Sequence, residues 1–78
     1  MNDTVMEKGD FLRDLGFRLR QIRIEKGWTL EQVEEHGWNN WRHLQLIETG
    51  KKNVTIWTLK KLSQTYDMEL VEMIRLVA

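Results

Sequence analysis

Seventy-eight residues without cysteine allow one domain and exclude both a disulfide framework and a thiolate metal site. Twelve basic side chains balance twelve acidic ones, so the net charge is zero and a uniformly basic surface is excluded. The longest apolar runs are far too short to span a bilayer, and the opening MNDTVMEKGD lacks an apolar signal core, so export and membrane insertion are not expected and the cytoplasm is.

The chain contains no proline, and its β-branched residues do not alternate, which favours an all-α domain. A frayed tail is expected over 1–9, with Gly9 as punctuation, and one helical domain over 10–78. Asp10 can cap a first helix in which Leu12, Leu15, Leu19 and Ile22 form an apolar face, ended by Gly27. Thr29 opens a second helix, with Gln32 three positions on completing a capping box. Leu30 and Val33 face inward, and Gly37 stops this helix. Asn39 or Asn40 caps a third helix over about 40–47, which buries Leu44 and Ile47 and ends before Gly50. Lys51, Lys52 and Asn53 form a short basic loop. Thr55 caps a fourth helix with Ile56, Leu59 and Leu62 inward and Tyr66 near its end. Leu70, Met73, Ile74 and Val77 mark a fifth helix.

Helix, tight turn, helix and glycine stop between Thr29 and Gly50 is the grammar of a helix-turn-helix, whose second helix is of a size to enter a DNA major groove. The charge distribution agrees. Leu15 to Tyr66 holds nine basic and five acidic side chains, whereas the two ends hold three basic and seven acidic ones. A basic middle can attract phosphate while acidic ends face away; the alternative is an ordinary mixed-charge surface.

Three stretches, LGFRLRQIRIEKGWT, LIETGKKN and TLKKLSQTYDMELVEMI, resemble the lambda-repressor-like helix-turn-helix family, also called Cro/repressor or XRE, over about Leu15 to Ile74. The resemblance implies a five-helix all-α domain that binds double-stranded DNA. It also implies an ion pair between Arg23 and Glu48 that ties the first helix to the end of the recognition helix. The size suits small stand-alone regulators, antitoxins and prophage repressors.

Four departures from the family pattern stand out. Glu34 stands where a small residue, Ala, is usual. Gly37 comes one residue early, and Trp38 takes the usual Gly position, which points to a remodelled turn. Leu30 replaces a Gln that often clamps a phosphate, and Val54 replaces a common Pro. A carboxylate at Glu34 requires solvent or a partner, because burying it unpaired is costly.

The outward face of the third helix comprises Asn40, Trp41, Arg42, His43, Gln45 and Leu46. By resemblance, Trp41, Arg42 and Leu46 occupy base-reading positions. Arg42 can donate two bonds to guanine O6 and N7; contact with phosphate alone, or a surface ion pair, is the alternative. Leu46 can pack on a thymine methyl and Gln45 can pair with adenine, or each is an ordinary solvated side chain. Trp41 either lines the sugar-phosphate wall or folds back onto Trp38. Asn39, Asn40, Thr49, Lys51 and Lys52 are candidate phosphate contacts, a solvated turn being the alternative for the lysine pair, and Thr29 is a further candidate DNA-binding residue.

Selectivity from one short helix calls for a homodimer on a pseudo-palindrome. Trp57, with Met73 and Val77, is the candidate dimer contact; Phe17 and Trp57 covering the chain's own tails is the alternative. His36 and His43 are interrupted by Gly37, and there is no His-x-x-x-His, so no metal is expected. No nucleophile and base stand at a telling spacing, so neither an enzyme nor a cofactor is expected. The competing function is a protein-interaction module that keeps the fold but binds DNA weakly or not at all, to which the neutral charge and Leu30 point.

Overall fold

The computed structural model describes residues 7–75. Five helices follow in order: α1 (Lys8–Glu25), α2 (Leu30–Glu35), α3 (Trp41–Glu48), α4 (Ile56–Thr65) and α5 (Leu70–Ile74). No strand occurs among the described residues. Residues 1–6 of the expected tail, and Val77, lie outside the described residues.

The first helix begins earlier than the sequence suggests. Lys8 and Gly9 are helical, so Asp10 is an interior residue of the first turn rather than a cap. There its charge favours the helix N-terminus, and it pairs with Arg13 one turn on. The glycine at position 9 is tolerated because it lies in the first turn, where few helical bonds depend on it.

Chain reversal is encoded the same way at the end of each of the first four helices. The residue two past the cap bonds back to the third residue from the helix end: Trp28 to Arg23, Trp38 to Val33, Lys51 to Leu46, and Met68 to Ser63. The residue between must enter the left-handed region. Gly27 and Gly50 do so at φ 78° and 75°, whereas the fourth closure uses Asp67 at φ 54°.

Leu15, Leu19, Ile22, Val33, Trp38, Leu44, Ile47, Leu59, Leu62, Tyr66 and Met73 form the core. Leu30 is half-buried against it. Ile56, expected inward, is 66% exposed, because it takes the first position of α4, at the helix end rather than over the core. Met73, expected at a dimer contact, is fully buried. The α5 backbone carrying it is held to α1, since Arg18 donates to the Met73 and Glu72 carbonyls at 3.1 and 3.2 Å.

One close approach is not foreseen from the helix pattern. A Cβ on Gly16 would lie 2.4 Å from the Ile47 carbonyl oxygen and 2.5 Å from that of Glu48. Only a residue without a side chain lets the end of α3 settle on α1 this closely. The signal in the sequence is a glycine in the middle of a strongly periodic helix, where it costs about 1 kcal/mol against Ala unless packing requires it.

Candidate nucleic-acid interface

The site is the helix-turn-helix formed by α2, the turn 36–40 and α3. The start of α2 carries the expected capping box. The Gln32 N–H donates to Thr29 Oγ1 at 3.1 Å, and the Thr29 N–H donates to Gln32 Oε1 at 2.8 Å. The Thr29 N–H is thereby engaged and its hydroxyl oxygen accepts one bond, while the hydroxyl proton of this exposed residue is left to donate outward.

The turn is rebuilt around Gly37 and Trp38. Gly37 sits at φ 111°, which a side chain rarely adopts. Trp38 is 4% exposed, and its indole N–H donates to the Asn40 carbonyl at 2.7 Å. Its ring lies against the His43 ring, centroids 5.8 Å apart, and the Lys61 ammonium stands 5.4 Å from it. Trp38 therefore fills the turn from inside and fixes its exit. Glu34 finds the partner its position required: Oε2 accepts the Trp41 backbone N–H at 2.9 Å.

Asn40 is the cap of α3, its Oδ1 accepting from the His43 N–H at 3.1 Å, while Asn39 is exposed beside it. Leu44 and Ile47 point inward as expected. Arg42, Gln45, Leu46 and Thr49 remain exposed on the other side. Thr49 donates its hydroxyl to the Gln45 and Leu46 carbonyls at 3.0 and 3.2 Å, which leaves the oxygen lone pairs as its outward capacity. Trp41 is half-buried and carries the Arg42 guanidinium 5.4 Å from its ring centre. The ring beside Trp38 is that of His43, which is half-buried and faces the turn. Lys51 and Lys52 are exposed on the loop that follows.

The far end of α3 is anchored by charge. Arg23 Nε meets Glu48 Oε2 at 2.7 Å and Arg23 Nη2 meets Glu48 Oε1 at 2.9 Å, a bidentate pair. Arg23 Nη1 also donates to the Trp28 carbonyl at 2.9 Å. The two side chains are 11% and 3% exposed. The carboxylate raises the Arg23 pKa further above its ordinary value, chiefly through the hydrogen bond, against a smaller opposing cost of burial. This arrangement joins α1, the loop before α2 and the end of α3 at one point. Beside it Tyr66 is fully buried, and its Oη has no hydrogen-bond partner among the described residues. Burial pushes the phenol pKa well up, with Glu48 adding to the rise and Arg23 opposing it.

Residues 19–73 match the helix-turn-helix family. The chain belongs to that family. It is 32% identical over 65 residues to y4dJ of Sinorhizobium fredii (strain NBRC 101917 / NGR234), named an uncharacterized HTH-type transcriptional regulator, covering 83% of this chain and 84% of that protein. The match and the five helices make this a lambda-repressor-like helix-turn-helix protein, all-α as expected. Within the family frame, Arg23 and Glu48 pair as the resemblance implied. Glu34 and Gly16 are the residues of the motif's surroundings whose roles the sequence did not disclose.

Three further expectations concern its surface. No described helix is long and apolar enough to cross a membrane. No group of three or more metal-ligating side chains occurs among the described residues. Trp57 and Phe17 are 62% and 56% exposed.

Proposed function

We propose that this helix-turn-helix protein is a cytoplasmic, repressor-type transcriptional regulator that binds an operator with α3 in the major groove, as a two-fold dimer. The observation that carries the reading is the outward face of α3. Arg42, Gln45 and Leu46 stand exposed along it, offering a guanidinium fork, an amide and an apolar tip, while the opposite face is locked into the core. Lys51 and Lys52 follow on the loop and supply phosphate contacts, with Thr29, Asn39, Asn40 and Thr49 presenting polar groups nearby. His43 contributes through packing against Trp38, and Trp41 through the Arg42 side chain it carries. The name given to the y4dJ relative supports the same role.

Trp57 remains the candidate dimer contact, since it is a large apolar side chain left in solvent. Sedimentation equilibrium that finds only monomer at high concentration removes the dimer.

Selection from a random duplex library, followed by salt titration, tests the whole reading. The expected result is a defined motif with two-fold symmetry and an affinity that falls steeply with salt. Recovery of no motif, with capture of a protein partner instead, favours the second reading, an interaction module or antitoxin with little DNA binding. The half-buried Leu30, which cannot clamp a phosphate, and the zero net charge favour that alternative.

A further inference from the structure

Glu34 is exposed, yet its carboxylate is committed to the backbone of another helix. Trp41 is the first residue of α3, so its N–H is one of those with no acceptor inside the helix. Asn40, in the cap position, serves a different N–H, that of His43. The start of α3 thus has two acceptors, one local and one delivered from α2 across the turn. They differ in consequence. A local cap moves with its helix, whereas a bond from α2 fixes where α3 begins relative to α2. The Trp38 indole, donating to the Asn40 carbonyl at 2.7 Å, supports the same end from the turn.

We propose that Glu34 is a positioning residue for base recognition: its hydrogen bond to Trp41 sets the angle at which α3 presents Arg42 and Gln45 to duplex DNA. This rests on the DNA-binding reading above. The bond is charge-assisted and places a carboxylate at the positive end of the helix, both of which strengthen it. Arg42 follows Trp41 directly, and Gln45 lies one turn on, so a tilt of the first turn displaces both. Base contacts require placement within about 0.5 Å and 10–20°. Phosphate contacts through the flexible Lys51 and Lys52 tolerate far more. Loss of the Glu34 bond therefore weakens binding to the preferred sequence and leaves binding to other duplexes almost as it was.

The test compares Glu34→Ala and Glu34→Gln with the native protein. Alanine is a strong helix former at this exposed position, so the variant keeps its fold. Affinities are measured for the selected duplex and for a scrambled one at a single salt concentration, and exchange of the Trp41 amide is followed in the free protein. Glu34→Ala is expected to speed that exchange and to lower the ratio of the two affinities about tenfold, the loss typical of one misread base pair. Glu34→Gln retains a side-chain carbonyl acceptor and is expected to hold the ratio within about twofold of native. An unchanged ratio in Glu34→Ala, an equal loss on both duplexes, or a Gln variant as impaired as the Ala variant overturns the assignment. A native protein that prefers no duplex removes the DNA-binding reading and this assignment together. A clear native preference with an unaltered ratio in Glu34→Ala removes the role of Glu34 alone.

Discussion

Glu48→Ala should strongly destabilise this fold. The native carboxylate accepts two charge-assisted bonds from Arg23, at 2.7 and 2.9 Å, in a site where the side chains are 11% and 3% exposed. Truncation leaves a guanidinium nearly out of water with only the Trp28 carbonyl as partner. Removing one member of a buried pair costs about 3–5 kcal/mol, most of it the penalty of the stranded charge. For a domain of this size, 1 kcal/mol shifts Tm by roughly 4–8 °C, so thermal unfolding should move down by at least about 12 °C. Urea titration and thermal circular dichroism read the effect. The double variant Arg23→Met, Glu48→Leu removes both charges and should recover most of the loss, because well-packed apolar side chains often replace a buried pair at little cost. A Glu48→Ala protein that melts within about 4 °C of native would refute the argument, as would a double variant as unstable as the single one.

Four other variants have expected outcomes. Arg42→Ala should weaken binding to the selected duplex by about 1–3 kcal/mol and relax preference at one base position, read by repeating the duplex selection. Replacing Lys51 and Lys52 together by Ala should weaken all duplexes alike and flatten the log–log salt slope by about 0.9 for each phosphate no longer neutralised, measured by fluorescence anisotropy. Tyr66→Phe should leave stability unchanged or raise it by about 1 kcal/mol, since it deletes a buried hydroxyl that no described residue bonds. The same variant separates an effect of pH. The unfolded phenol ionises near pH 10 and the folded one only well above it, so native stability is complete below ~10 and declines as pH rises further, whereas the Phe variant loses that part of the decline. Gly16→Ala should destabilise by about 1–3 kcal/mol in denaturant titration, because the new methyl meets the Ile47 and Glu48 carbonyl oxygens rather than a side chain that can turn aside.

Most of the architecture is legible in the sequence because its signals are local. Capping residues Thr29, Asn40 and Thr55, and stops at Gly27, Gly37 and Gly50, act on backbone within a few residues, and each sits where the pattern places it. The apolar spacing likewise locates Leu15, Leu19, Ile22, Leu44 and Ile47. What escapes depends on distance in the chain. Met73 reads as a surface residue because five residues of α5 carry too little periodicity to show which side meets α1. Ile56 reads as core because its spacing fits, but spacing cannot tell that the helix end lies beyond the packed interior. Glu34 reads as a misplaced charge until the turn brings the Trp41 amide to it. Gly16 has no role assigned by the sequence pattern and gains one only when α3 lies upon it. The outward residues of α3 are legible as a set, whereas their division between Arg42 held by Trp41 and His43 turned toward Trp38 depends on ring packing that no spacing rule contains.

The four alike helix closures carry a kinetic consequence. Each is completed by residues within about six positions of one another, so each reversal can form before any remote part of the chain arrives. The Arg23–Glu48 clasp, the seat of α3 on Gly16, the docking of α5 and the closing of the shared core must wait for distant partners. A helical chain with so much of its geometry written locally belongs among fast folders, collapsing on the microsecond-to-millisecond scale. Such a protein can be remade within moments of unfolding, which suits a molecule whose small interior leaves little margin against being opened.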